Sequence, residues 1–180
     1  MIASSRSAFA EPAPAAETER AARVFSATGI GGGVIVHLGA TDGKFTAALK
    51  ANDHCCVQGL TTDTAACEAA RQYIQSRGLY GTVSVAAYDG KHLPYTDNLV
   101  NLVVASARCE MQDAGSEILR VLTPRGVAVV LEKGNEAWLS RIPYPVSRIG
   151  DGFAMFTKPT PAEIDEWTHF LYDATNNAVS

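Results

Sequence analysis

Three small residues spaced two apart, Gly39, Thr41 and Gly43, separate an apolar run from a helix-like run in VIVHLGATDGKFTAAL, residues 34–49. Such residues at such spacing bring backbone N–H groups close to a bound nucleotide. Gly39 opens turn angles closed to other residues. A small side chain at 41 lets a cofactor approach the main chain, and Gly43 starts a helix whose first N–H groups lack partners within it. Thr41 is β-branched where a bare backbone would allow the closest approach. On its own the pattern equally suits a tight turn needed for packing. His37, inside the apolar run, reads first as a hydrogen-bonded core histidine and second as a ligand or base.

A second apolar stretch ends at Leu60 and Thr61, about twenty residues on, where a ribose-binding acid is expected. One threonine hydroxyl cannot replace a carboxylate that accepts from two ribose hydroxyls. Losing a charge-assisted bond of about 1.5–3 kcal/mol weakens binding roughly ten-fold or more. Asp63 either substitutes or caps the next helix. A third stretch ends at Asp89 and Gly90, and His92 follows in a loop, where a solvated histidine is commoner than a general base. The four histidines (37, 54, 92, 169) and four cysteines (55, 56, 67, 109) show no metal-ligand spacing, so no metal site is predicted. Cys55 and Cys56, adjacent in a strand, point to opposite faces and read as small core residues. Glu110 and Asp113 read as helix-start acids. No Ser-His-Asp order, nucleophile elbow or phosphate-loop lysine is present, so no catalytic residue is assigned.

These residues need elements to position them. The spacing predicts a helix over 17–29, then strands in GVIVHLG, HCCVQGL, TVSVAAYD, LVNLVVASA and GVAVVLEK. Helices begin at GKFTAALKAN, TDTAACEAARQYIQSRG and AGSEILRVLTPRG, the last ended by Pro124 and Gly126, and a sixth strand is plausible at 152–158. This alternation implies an α/β fold with a doubly wound, mostly parallel sheet whose strand ends share one ligand-binding rim. With 180 residues, 47% apolar and 19% charged, the chain suits one domain with a real core. A formal charge of −4 with scattered Lys and Arg gives no footprint for nucleic acid and no polybasic membrane patch. No apolar run is long enough for a membrane span. Residues 1–18 read as a disordered or signal-like tail, 19–158 as the folded domain and 159–180 as a linker or docking tail. Ala8-Phe9-Ala10 has the small-x-small pattern of an export-signal end without the preceding apolar stretch. Localisation is cytoplasmic if the start is genuine and periplasmic if an export signal has been trimmed.

Over residues 30–133, VHLGATDG, VQGLTTD, YDGKHLPYTDNLVNLVV and LRVLTPRG together resemble the class I S-adenosylmethionine-dependent methyltransferases. The resemblance implies their Rossmann-like fold, truncated after about five or six strands. It implies that Gly39, Ala40, Thr41 and Gly43 wrap the methionine end of the cofactor, with His37 in the position of the family's common acid. Residues Leu60, Thr61 and Asp63 would meet the ribose. Asp89 with Gly90 would read the adenine, and Ser106 and Ala107 would face the methyl group and the acceptor. Asn101 stands where many relatives have Asp. The tail KPTPAEIDEWTHFLYDATNNAVS resembles the linker into pyrroloquinoline-quinone-enzyme-like β-propellers of multidomain bacterial proteins. That implies a propeller or other docking partner met by Trp167, His169 and Phe170; alternatively these aromatics pack on their own domain.

The implied function is methyl transfer from S-adenosylmethionine to an unidentified acceptor. The sulfonium already makes the methyl electrophilic, so the protein chiefly aligns donor and acceptor. Two other readings stand beside it. A non-catalytic module that kept the fold and serves interaction with a downstream propeller or partner is favoured by Thr41, Thr61 and the signal-like start. A nicotinamide-binding domain is disfavoured by the incomplete G-x-G-x-x-G pattern.

Overall fold

A computed structural model describes residues 14–106, 111, 113–131, 139, 142–149 and 152–162. The elements are α1 (Ala15–Thr28), β1 (Gly33–Leu38), α2 (Lys44–Ala48), β2 (Cys55–Thr61), α3 (Thr64–Ser76) and β3 (Val83–Ala87), then β4 (Val100–Ala105), α4 (Ala114–Val121), β5 (Leu122–Val130), β6 (Ser147–Ile149) and β7 (Phe153–Thr157). The strands form one sheet in the order β3-β2-β1-β4-β5-β7-β6. The first five are parallel; β7 is antiparallel to both β5 and β6. Strand order reverses between β1 and β4, the place where open α/β sheets form a crevice.

Alternation along the strands builds two cores. Ile35, Val57, Val85, Leu102, Val104 and Val129 pack with Val24 of α1, Phe45 of α2 and Ile74 of α3. On the opposite face Val36, Leu38, Leu60, Val103 and Val130 pack with Ile118 and Val121 of α4. The sheet is thus covered on both faces, which is why β1 and β5 read as unbroken apolar runs. Asn101 does not interrupt this: its Oδ1 accepts Val34 N–H at 2.9 Å and fastens the start of β1 to β4.

Three expectations are corrected. Among the described residues the sheet has seven strands, where five or six were expected. The strand expected at 152–158 is β7, and β6, with three residues, is too short to carry a period-2 signal. Helix α4 ends at Val121, short of the expected stop at Pro124 and Gly126. Pro124 has no N–H to give and disfavours helical angles in the residue before it, so Leu122 already pairs with Val100, and the register shifts before Leu102 meets Val127. Helix α1, Ala15–Thr28, meets the helix expected over 17–29 to within two residues. Cys55 is buried and Cys56 exposed, so opposite faces hold but the core reading holds only for Cys55.

Ala8-Phe9-Ala10, Ala107, Cys109, Glu110, Trp167, His169 and Phe170 lie outside the described residues. Among the described residues no helix is long and apolar enough to cross a membrane, and no cluster of His, Cys, Asp and Glu could hold a metal.

Candidate functional site

Parallel register sets the geometry. Leu38 at the end of β1 lies opposite Leu60 of β2, and Leu60 lies opposite Ala86 of β3. The glycine turn, the Thr61–Asp63 segment and the Asp89–Gly90 segment therefore leave the sheet along one edge. Gly39 and Ala40 donate N–H bonds to Leu60 O at 2.9 and 3.0 Å, and Tyr88 N–H reaches Thr61 O at 3.0 Å. Gly90 sits so close to the β2 end that an added Cβ would lie 3.1 Å from Thr62 Cγ2. Ser106, just past β4, joins the same edge through Ser106 N–H to Leu38 O at 3.0 Å.

The turn is built by close packing. Gly39 has φ 83° and Gly43 φ 77°, angles that L side chains rarely adopt. A Cβ on Gly43 would also lie 2.8 Å from Ala70 O in α3, so this glycine seats α2 on α3. Ala40 is fully buried, and bare Gly59 makes room for it: a Cβ there would lie 2.9 Å from Ala40 Cβ. Thr41 is half-buried on the turn and Asp42 exposed beside it. Burial raises the Asp42 pKa, but Lys44, through its N–H and its ammonium, brings it below the ordinary value overall. The ammonium stands 3.1 Å from Asp42 Oδ2.

Beneath the turn lies a polar cluster that includes two residues singled out from the sequence. His37 is 4% exposed. Its Nδ1 lies 2.8 Å from Thr46 Oγ1 and its Nε2 2.8 Å from Ser106 Oγ. Phe45 meets the ring edge-on at 5.1 Å. A neutral imidazole has one donor and one acceptor; with the single Ser106 O–H given to Leu38 O, Nε2–H donates to Ser106 Oγ and Nδ1 accepts from Thr46 Oγ1. Burial first, then the nearby Arg20 guanidinium, pushes the His37 pKa down to about 3. His37 is thus the hydrogen-bonded core histidine of the first reading. Ser106 Oγ also donates to Leu38 O at 3.0 Å.

The rim acids are largely engaged at home. Asp63 is the N-cap of α3, its Oδ1 accepting from Ala65 and Ala66 N–H at 2.8 and 3.2 Å; of its two readings, the cap is what the fold uses. Thr61 Oγ1 accepts Asp63 N–H at 3.2 Å. Asp89 Oδ1 accepts from Lys91 and His92 N–H at 2.8 and 2.9 Å. The His92 N–H first, then that of Lys91, holds the Asp89 carboxyl below its usual range. The Asp89 side chain is 57% exposed, with Oδ2 3.8 Å from His92 Nδ1.

Gly59, Thr46 and the α4 pair Glu117–Arg120 escaped the sequence reading. Gly59 was visible in VQGL as a glycine inside a strand, a sign of close backbone approach. The charged pair was visible as two ionic residues three apart on an apolar helix. Thr46 had no signal, because its partner is distant in sequence.

The chain belongs to the methyltransferase domain family, whose model matches residues 35–126, just over half its length. Among curated proteins none matches it. It is similar to a protein assigned as an S-adenosyl-L-methionine-dependent methyltransferase from Methanococcus maripaludis. That likeness has 17% identity and a TM-score of 0.69, and it covers 82% of this chain and 87% of that one. It is also similar to the [4+2]-cyclase SpnF, at 27% identity and TM-score 0.57, over 63% of this chain and 43% of that one. A third similar structure is geranyl diphosphate C-methyltransferase from Streptomyces coelicolor A3(2), solved with S-adenosyl-L-homocysteine. It has 18% identity and a TM-score of 0.57, over 63% of this chain and 45% of that one.

Proposed function

We propose that residues 19–158 bind S-adenosylmethionine along the rim of β1, β2 and β3 and align it for transfer of its methyl group. The bound cofactor supplies the electrophilic methyl on its sulfonium; the protein's task is orientation. The observation that supports this reading is the shared edge. The Gly39–Thr41 turn follows β1 and the exposed Asp89 side chain follows β3 along the same edge of the sheet, with the Leu60–Thr62 segment of the intervening β2 between them. In this reading the turn holds the methionine end, Thr61 meets the ribose, and Asp89 Oδ2 accepts from the adenine amino group. Ser106 borders the methyl, kept in place by His37. Asp63 stays with α3. The acceptor is unassigned. Residues 159–180 serve as a docking segment for a propeller or other partner, leaving a domain whose last strand is pinned by Lys158.

A second reading is a retained fold without methyl transfer. It is favoured by the prior use of the rim acids, with Asp63 committed to α3 and one oxygen of Asp89 to its own loop. The likeness to a [4+2]-cyclase adds that the fold is not tied to one reaction.

Calorimetric titration with S-adenosylmethionine and S-adenosylhomocysteine separates the two. The enzyme reading expects sub-millimolar binding that Asp89→Ala weakens about ten-fold or more. No heat from the wild type, with heat appearing in Thr61→Asp, supports the second. Binding of NAD instead would overturn both.

A further inference from the structure

The segment between β3 and β4, residues 88–99, has no helix or strand to set its shape. Backbone groups in such a segment need partners, and α4 supplies them. Glu117 Oε2 accepts Leu93 N–H at 2.8 Å. Arg120 donates from Nη2 to Leu93 O at 3.0 Å and from Nη1 to Tyr95 O at 2.8 Å and Asp97 Oδ1 at 2.9 Å. The two side chains also join each other, Nε to Oε1 at 2.9 Å and Nη2 to Oε2 at 2.8 Å. Both backbone groups of Leu93 are therefore held from α4, and its side chain is buried in the core below. Tyr95 adds a bond from its hydroxyl to Gln58 Oε1 of β2 at 2.7 Å. Upstream of this anchor, Asp89–His92 depends on Asp89's own turn bonds and on the proximity of Gly90 to Thr62.

We propose that Arg120, oriented by Glu117, is the positioning residue of the rim loop: it fixes Leu93 and Tyr95 so that Asp89 stands ready for an adenine ring. This deepens the function proposed above and rests on it. The guanidinium suits the task because one planar fork serves three loop acceptors while bound bidentately to a carboxylate. A lysine offers a single point and cannot span them. The loop motif LPYTD and the helix motif EILRVL are, in this view, two halves of one clamp.

The test uses the full chain with Arg120→Lys, Arg120→Ala and Glu117→Gln. Thermal melts select the variants that fold, and Arg120→Lys and Glu117→Gln serve if Arg120→Ala does not. Two readouts follow. Lys91 is exposed in the loop, so native-state tryptic cleavage after Lys91 reports loop opening without any ligand. Calorimetry with S-adenosylhomocysteine and S-inosylhomocysteine, which lacks the adenine amino donor, reports whether Asp89 is in place. Cleavage is expected to accelerate about ten-fold, and a loop ordered one-tenth of the time weakens the adenosyl ligand by about the same factor. The inosyl ligand, which does not use Asp89, is expected to weaken less, so the preference between them shrinks toward one. Unchanged cleavage in the folded variants overturns the clamp. Equal weakening of both ligands with the preference intact overturns the adenine role and leaves a structural one. If wild type binds neither ligand, the cofactor reading and the adenine role fall together, while the cleavage rates still decide the clamp.

Discussion

His37 gives the sharpest physical prediction. Buried between α2 and β4, it stays neutral, its pKa pushed from 6.5 to about 3 by burial and by Arg20. In the unfolded chain the same imidazole titrates near its ordinary value of about 6.5. Between the two values the unfolded state takes up a proton that the folded state refuses. Stability is therefore complete above the unfolded value and is lost as pH falls toward the folded one. The slope is about 1.4 kcal/mol per pH unit, so this one residue removes about 2 kcal/mol between pH 7 and pH 5. Asp42, Asp89 and Glu117 also have lowered values. Their losses fall mainly below the ordinary carboxylate range of about 4, so the interval from pH 6.5 to 5 isolates the histidine. The assay is urea unfolding at pH 7, 6 and 5 on wild type and on His37→Gln, whose amide keeps a donor and an acceptor for Thr46 and Ser106. Wild type should lose about 2 kcal/mol over that interval and the variant less than half as much. Equal losses in the two proteins would refute the claim that burial keeps this ring uncharged.

Gly43→Ala should cost about 2–4 kcal/mol, from the left-handed backbone and the clash with Ala70 O; the urea midpoint reads it, and a loss under about 0.5 kcal/mol contradicts the packing role. Lys158 carries its ammonium onto Leu119 O at 2.6 Å, Leu122 O at 2.8 Å and Asn98 Oδ1 at 2.7 Å. Lys158→Met should therefore cost about 2 kcal/mol, a Tm drop of roughly 4–8 °C for a domain of this size, measured by calorimetry.

How much was legible depended on range. The apolar runs at 34–38 and 127–130 exposed a sheet covered on both faces, and Gly39 and Gly43 exposed a turn, because both signals are local. Helix α4 was read too long because the helical pattern of EILRVL runs on into LTPRG, where Pro124 moves the boundary back to Val121. Asp63 was legible as a cap from its place before TAACEAAR, and the structure uses it so. The partners of His37 were not legible: Thr46 and Ser106 reach it from α2 and from just past β4, nine and 69 residues away.

By itself the sequence determined the alternation of strands and helices, the apolar faces and the glycine bend, since each is written in side chains a few positions apart. The tertiary structure alone decided that β7 enters the sheet beside β5 in the opposite direction. It also decided that His37 is buried between Thr46 and Ser106, and that Arg120 bonds Leu93 and Tyr95 of the segment after β3. Those outcomes depend on which distant groups the completed sheet brings within hydrogen-bonding distance, and no local pattern encodes that.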